Sequence, residues 1–356
     1  MVGLRRFERK FKDECRAGIN RFVRAPVRRH LVERSVRHIH GPANIKCDRD
    51  EFVALSVMRN ARLHVDDFIE HHLELGATQI IILDNGSTDG SLELASRYRG
   101  VTLLQCLLPF KYFKFEFRRY LFRHFADNGW ALFLDIDERF CHLFPTQIDM
   151  FGFLEYLNRY NYNAVMGQML DLFPPGPISR WPIEGKELIS QSCWYDLQCL
   201  KRTKPRTRQS RPLKGPPLFA MSGGIRATGF DMENPPSLTK YPLLLNDGTV
   251  KPSESSCHHI RGGRLADSTC LLKHYKFHRE FKVQCENIVE AKSYFKDSLE
   301  YRQYLKALDA DEGLTLKTVH SQRLSHVNQL LENQFLVASE QFKGFVKEKC
   351  LSKSVA

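Results

Sequence analysis

Trp130-Ala131-Leu132-Phe133-Leu134-Asp135-Ile136-Asp137-Glu138 is the stretch on which the reading of this chain turns. The apolar run 131–134 predicts a short buried strand, and the strand leads straight into three carboxylates. Asp135 and Asp137, at i and i+2, aim together only where the strand stops and the backbone turns. Two like charges a few ångströms apart resist joint ionisation unless a cation or donor offsets them. Mg²⁺ or Mn²⁺ takes oxygen ligands and bridges to substrate phosphates. The pattern therefore points to a diphosphate-bearing substrate held through a metal. The plain structural alternative is an exposed turn with Asp135 capping a helix.

Upstream, the same alternation of strand and helix repeats. Residues 52–57 (Phe-Val-Ala-Leu-Ser-Val) predict a buried strand. Val65, Phe68, Ile69 and Leu73 follow at helical spacing, and Gly76 can end that helix. Residues 79–83 predict a second strand, 91–98 a short helix, 101–105 a third strand and 113–127 a Phe-rich helix. Strands alternating with helices imply a mostly parallel sheet wound with right-handed crossovers. Ligands of such sheets gather at the carboxyl ends of the strands, where the loops at 84–89 and 135–138 fall. Beyond residue 170 the pattern loosens through a proline-rich loop, with apolar pieces near 218–221, 241–245 and 269–272. From Phe281 the chain reads as helical, with a last helix suggested by Leu324, Val327 and Leu331.

At 356 residues and 42% hydrophobic the chain can bury a sizeable core, which excludes a mostly disordered protein. No apolar run approaches the ~18 residues of a membrane span, and the N-terminus lacks the apolar core of a secretory signal. Ten cysteines without a CxxC read as reduced thiols in a cytoplasmic protein. The net charge of +12 is local: residues 1–40 hold 12 Lys/Arg against 4 Asp/Glu, and 201–214 hold 7 with no acid. The rest sums to −3 (12 − 8 − 7), so the body is no nucleic-acid-binding surface. The basic segments suit phosphate groups or anionic lipid, or are solvated arms.

Two further clusters stand out. In Asp84-Asn85-Gly86-Ser87-Thr88-Asp89-Gly90, Asp84 leaves the second strand where it can accept hydrogen bonds from a base or ribose, while Asp89 reads as a helix cap. His274 directly follows a predicted strand, which makes it a candidate third metal ligand.

Together Met58-Arg59-Asn60, His71-His72 with Leu75-Gly76, the DNGSTDG loop and WALFLDIDE resemble the family 2-like glycosyltransferases with a GT-A fold. Later stretches extend the likeness: Gly223-Gly224-Ile225-Arg226, Thr239-Lys240-Tyr241-Pro242-Leu243, Ser255-Ser256-Cys257-His258, and 271–276 (Leu-Leu-Lys-His-Tyr-Lys). The resemblance spans about residues 52–282. It departs at Ala61, where the family usually has Glu, and at Arg139, where Phe is common.

The resemblance implies an α/β, GT-A (Rossmann-like) fold: a mixed, mostly parallel sheet flanked by helices, with a helical C-terminal tail. With it, the chain divides into a basic extension at 1–46, read from its sparse apolar positions among arginines, a transferase domain at 47–282 and a helical region at 283–356. A nucleotide sugar, with UDP preferred, would contact Asn60, Asp84, Asn85, Ser87, Asp135 and Arg226. Asp135, Asp137 and His274 would hold Mn²⁺ or Mg²⁺. Such enzymes usually invert the anomeric carbon, which needs a base on the acceptor hydroxyl; Glu138, His258 and Asp267 are the candidates. The acceptor would be a glycan or a lipid-linked sugar in cell-surface polysaccharide or glycolipid synthesis, with peripheral contact at an anionic inner membrane. Two other readings compete. One is a haloacid-dehalogenase-like phosphatase using Asp135 and Asp137. The other is an inactive nucleotide- or polyanion-binding protein.

Overall fold

The structure, a computed structural model, describes residues 25–205, 215–253, 256, 258–291 and 295–355. The N-terminal part of the first basic segment and most of the second, at 206–214, lie outside the described residues.

Helix α1 covers 25–35, and β1 is Arg37–His40. Four parallel strands follow with their crossovers: β2 (Phe52–Met58), α2 (Val65–Glu74), β3 (Gln79–Asp84), α3 (Ser91–Ala95), β4 (Val101–Gln105), α4 (Phe110–Phe125) and β5 (Trp130–Phe133). Then come β6 (Glu138–Cys141), α5 (Met150–Arg159) and β7 (Ala164–Asp171). The middle region holds α6 (Gly185–Gln191), β8 (Trp194–Tyr195), β9 (Lys201–Thr203), β10 (Ala220–Ser222) and α7 (Ile225–Thr228). The remaining strands are β11 (Thr239–Leu245), β12 (Lys251–Pro252), β13 (Ile260–Arg261), β14 (Leu265–His274) and β15 (Gln322–Arg323). Helices α8 (Phe281–Glu290), α9 (Phe295–Ala310) and α10 (Glu340–Val355) close the chain.

The central sheet has the order β1-β4-β3-β2-β5-β11-β7-β14-β6. Strands β4, β3, β2 and β5 are mutually parallel, and β7 pairs parallel with β14. Strand β11 runs antiparallel between β5 and β7, and β1 and β6 are antiparallel edges. The sheet is thus mixed and mostly parallel, as expected. The order reverses between β2 and β5, which opens the kind of crevice where α/β sheets bind ligands.

Side chains alternate across the sheet. Phe52 and Ala54 point into one core with α2, α5 and α10, while Val53 and Leu55 point into a second with α4. Covered on both faces, the central strands read as continuous apolar runs rather than alternating ones. A third cluster, built on Phe230, Phe277 and Tyr304, sits under α8 and α9.

Three features differ from the sequence expectation. Residues 25–40, expected within an extension, join the domain: β1 pairs with β4, Val32 is fully buried, and Glu33 binds Arg123 and His124 of α4. The helix expected around Leu324 to Leu331 is a single 3₁₀ turn, Val327–Leu331, and the last helix is α10. That helix, expected in a separate tail, buries Phe342 and Phe345 against Tyr156.

Candidate active site

The strand ends bring one cluster together. Asp171 ends β7, His274 ends β14 and Glu138 opens β6, and the three are register partners in one row across the sheet. Asp135 and Asp137 lie in the turn between β5 and β6. Because β11 runs the opposite way, its first residues Thr239 and Lys240 reach the same edge.

Asp137 and His274 face each other, with Oδ2 and Nε2 3.2 Å apart. The other ring nitrogen, Nδ1, meets Asp171 at 2.5 Å. Arg226 grips both Asp171 oxygens, at 2.7 and 2.9 Å. Burial pulls the His274 imidazole down, but Asp137 and Asp171 together outweigh it and lift its pKa to about 9. Asp137 is held well below the usual carboxylate range: burial raises it, and His274 more than offsets that.

Asp135 belongs to a second half of the cluster. Its Oδ2 binds the Lys240 ammonium at 2.5 Å, and Arg118 stands 3.9 Å from Oδ1. The same ammonium meets Glu138 Oε1 at 2.5 Å, while Glu138 Oε2 accepts from the Asp135 N–H at 3.0 Å. Burial pushes Glu138 up, with Lys240 working against it. For Asp135 burial also raises, but Lys240, Lys114 and Arg118 win and its pKa falls.

A divalent cation fits one half of this arrangement. An octahedral ion with ligands at ~2.1 Å places neighbouring ligand atoms roughly 3 Å apart, close to the 3.2 Å between Asp137 Oδ2 and His274 Nε2. Metal-bound imidazoles usually carry an outer carboxylate on their second nitrogen, and Asp171 stands in that place. The expected trio is nonetheless split, because Asp135 is turned to Lys240. Among the described residues no three His, Cys, Asp or Glu side chains close on one point.

The loops after β2 and β3 interlock. Fully buried Asp84 accepts from Gly86 N at 3.0 Å, Ser87 N at 3.1 Å and Gln105 Nε2 at 3.2 Å. Ser87 Oγ accepts from Asn60 N, Asn60 Oδ1 accepts from Thr88 N, and Asn85 donates to the Cys106 and Leu108 carbonyls. Asp84 and Asn85 thus shape the loop from within, whereas Asn60 is exposed. Arg226 is likewise buried in its ion pair rather than open to solvent.

The three base candidates separate. Glu138 lies inside the cluster. His258 is half-buried beside β11, with Nδ1 2.7 Å from the Thr239 carbonyl, so that nitrogen carries the proton. Asp267 is a correction. It lies seven residues before His274 on β14, roughly 20 Å along the strand, and accepts hydrogen bonds from Tyr156 at 2.8 Å and Ser339 at 2.6 Å. A buried carboxylate held by two hydroxyls at the opposite end of the sheet secures α10 and does not reach the cluster.

Lys240, Asp171 and Arg139 join the site without being among the candidates that the sequence offers. Asp171 carried the signal that marked Asp135, an acid ending an apolar run. Arg139, one of the departures from the family pattern, is a buried brace. Its Nε binds Asp67, Nη1 donates to the Ile136 and Glu138 carbonyls at 3.0 Å, and Nη2 donates to the His64 carbonyl at 3.0 Å. The His71-His72 pair is also a brace: His71 Nε2 lies 2.9 Å from the Phe140 carbonyl and His72 Nε2 accepts from Phe140 N at 3.4 Å.

The fold and this cluster define a Rossmann-like α/β protein with an acid–imidazole site at the carboxyl edge of its sheet. No family model matches the sequence, and no curated protein matches it. Among solved structures, one match is the mannosyltransferase PcManGT from Pyrobaculum calidifontis in complex with GDP-Man and Mn²⁺. It shares 15% identity over 35% of this chain and 38% of that chain, with a TM-score of 0.26. The alignment spans less than half of either chain, and a likeness of that size assigns no residue or ligand here.

Proposed function

We propose that this protein is a metal-dependent glycosyltransferase that moves a sugar from a nucleotide-sugar donor, UDP-linked by preference, to a hydroxyl acceptor with inversion. The observation that carries the reading is the Asp171–His274–Asp137 relay at the carboxyl edge of the sheet, beside the turn that carries Asp135. Asp137 and His274 would hold Mn²⁺ or Mg²⁺, and the cation would stabilise the departing nucleoside diphosphate. Asp171 keeps the His274 ring oriented, with Arg226 fixing Asp171 in turn. The loops at exposed Asn60 and half-buried Ser87, on the other side of the crevice, would take the nucleoside, with Asp84 and Asn85 holding their shape. Glu138 and His258 remain the base candidates. Glu138 must first exchange Lys240 for the acceptor hydroxyl, whereas the His258 ring is held through Nδ1 on the Thr239 carbonyl.

The acceptor is proposed to be a glycan or lipid-linked sugar, with the basic N-terminal segment touching anionic lipid. Among the described residues no helix is long and apolar enough to cross a membrane. Calorimetric titration of UDP and GDP with Mn²⁺, repeated with EDTA, tests the donor site. Binding that needs the metal supports it, and binding of neither nucleotide under either condition rejects it. Slow Mn²⁺-dependent hydrolysis of a UDP-sugar without acceptor would separate a transferase from an inactive binding protein.

A further inference from the structure

His64 stands at the N-terminal cap of α2, yet its side chain makes no capping hydrogen bond. The residue is 8% exposed, and its Nδ1 is sealed from solvent without a hydrogen-bond partner among the described residues. The other buried imidazoles are partnered: His72 Nδ1 lies 2.7 Å from the Phe68 carbonyl, His142 Nδ1 2.9 Å from the Leu143 carbonyl, and His274 has two carboxylates. An unpaired buried polar group costs about 1–3 kcal/mol, and native structures keep few of them without a reason.

The position of His64 supplies one. Its carbonyl accepts from Arg139 Nη2, and the same guanidinium donates to the carbonyls of Ile136 and Glu138. That bracket holds the His64 backbone against the turn that carries Asp137. The charged and titratable groups that act on the ring are Asp137, Arg139, His278 and His274. Burial lowers its pKa to about 3, against the pull of Asp137, so the ring is neutral across the physiological range. A neutral imidazole offers one lone pair to a cation and one N–H to a phosphate oxygen.

We propose that His64 is a binding residue for the cation–diphosphate group, the third protein contact to that group beside Asp137 and His274. The proposal rests on the metal-dependent donor site described above. It accounts for a helix cap that does not cap and for a buried nitrogen without a partner. Because no three His, Cys, Asp or Glu side chains close on one point among the described residues, the test must separate direct ligation from contact through the diphosphate.

The experiment uses the full chain as wild type, His64→Phe and His64→Asn. Thermal unfolding is followed without ligand, Mn²⁺ alone is titrated by the electron paramagnetic resonance of the free ion, and UDP with Mn²⁺ is titrated by calorimetry. His64→Phe keeps a ring and removes the unpaired nitrogen, so it should melt no lower than wild type. Its affinity should nevertheless fall about tenfold or more, and His64→Asn, with a polar atom near the Nδ1 position, should recover part of the loss. A loss seen with Mn²⁺ alone assigns the nitrogen to the cation; one seen only with UDP present assigns it to the phosphate. Should His64→Phe melt lower, the Asn variant decides: restored stability without restored binding overturns the proposal. Wild-type binding by His64→Phe in both titrations overturns it and leaves the donor site standing. If the wild type itself binds neither Mn²⁺ nor UDP, the donor site and the proposal fall together.

Discussion

Asp137 and His274 are a charge pair with a direction in pH. The folded pKa of His274, about 9, lies above its ordinary 6.5. Its contribution to stability is therefore fully present below pH 6.5 and lost as pH rises through about 9. Asp137 is lowered, so its contribution is present above the ordinary carboxylate value and lost as pH falls below it. Melting curves between pH 6 and 10 should show wild type losing its advantage over His274→Gln toward pH 10; parallel curves would contradict the pairing. The proton on His274 also competes with a cation, so Mn²⁺ should bind more tightly at pH 8.5 than at pH 6.5. Asp137→Asn removes an anionic ligand from a side chain that is 25% exposed. We expect metal-dependent UDP binding to fall about 10–100-fold or more, with circular dichroism and cooperative melting retained. A variant that unfolds, or that binds as wild type, would end the ligand assignment.

The antiparallel insertion of β11 has a chemical consequence. Running against its neighbours, it delivers its first residues to the edge where β5 and β7 end, and Lys240 pairs with two carboxylates there. The Lys240 side chain is 6% exposed and that of Glu138 is fully buried. Breaking a buried pair by removing one partner costs about 3–5 kcal/mol. Lys240→Met should cost that much at pH 7, measured by urea unfolding. Glu138, already raised by burial, would then take up a proton more readily, so the deficit should shrink toward pH 5. A deficit that stays constant with pH would mean that lost packing, not the charge, is responsible.

For the molecule as a whole, the C-terminal segment belongs to the core. Helix α10 buries Phe342, Phe345 and Val346 in the cluster that contains Tyr156 and Leu336. Its first turn is anchored by Ser339, which accepts from Phe342 N and donates to Asp267. Each large apolar side chain is worth about 1.5–3 kcal/mol, so losing three removes roughly 4–9 kcal/mol against a total stability of about 5–15. A chain ending at residue 338 should lack a cooperative melt. A cooperative melt near that of the full chain would show α10 to be an appendage.

What could be read from the chain were features set by neighbours in sequence. Strands β2 to β5 are apolar runs bounded by turn formers, and such runs must be buried whichever partners they find. Asp135 and Asp137 stand out because two acids at i and i+2 after an apolar strand resist joint ionisation unless a cation or donor offsets them. Strand β7, Ala-Val-Met-Gly-Gln-Met-Leu-Asp, is interrupted by Gly167 and Gln168 and runs into a proline-rich loop, so neither it nor Asp171 has as clear a local signature as β5 and Asp135. Strand β1, Arg-His-Ile-His, carries no apolar signature because an edge strand with exposed side chains needs none. The roles of Lys240 and Asp267 were beyond local reading. Lys240 meets Asp135 across 105 residues, and Asp267 meets Tyr156 across 111. Propensity and periodicity act over a few residues, whereas the end of the sheet at which a side chain lies depends on the direction in which its strand is inserted. Only the assembled sheet supplies that, so it alone turns a buried charge from a penalty into a partner.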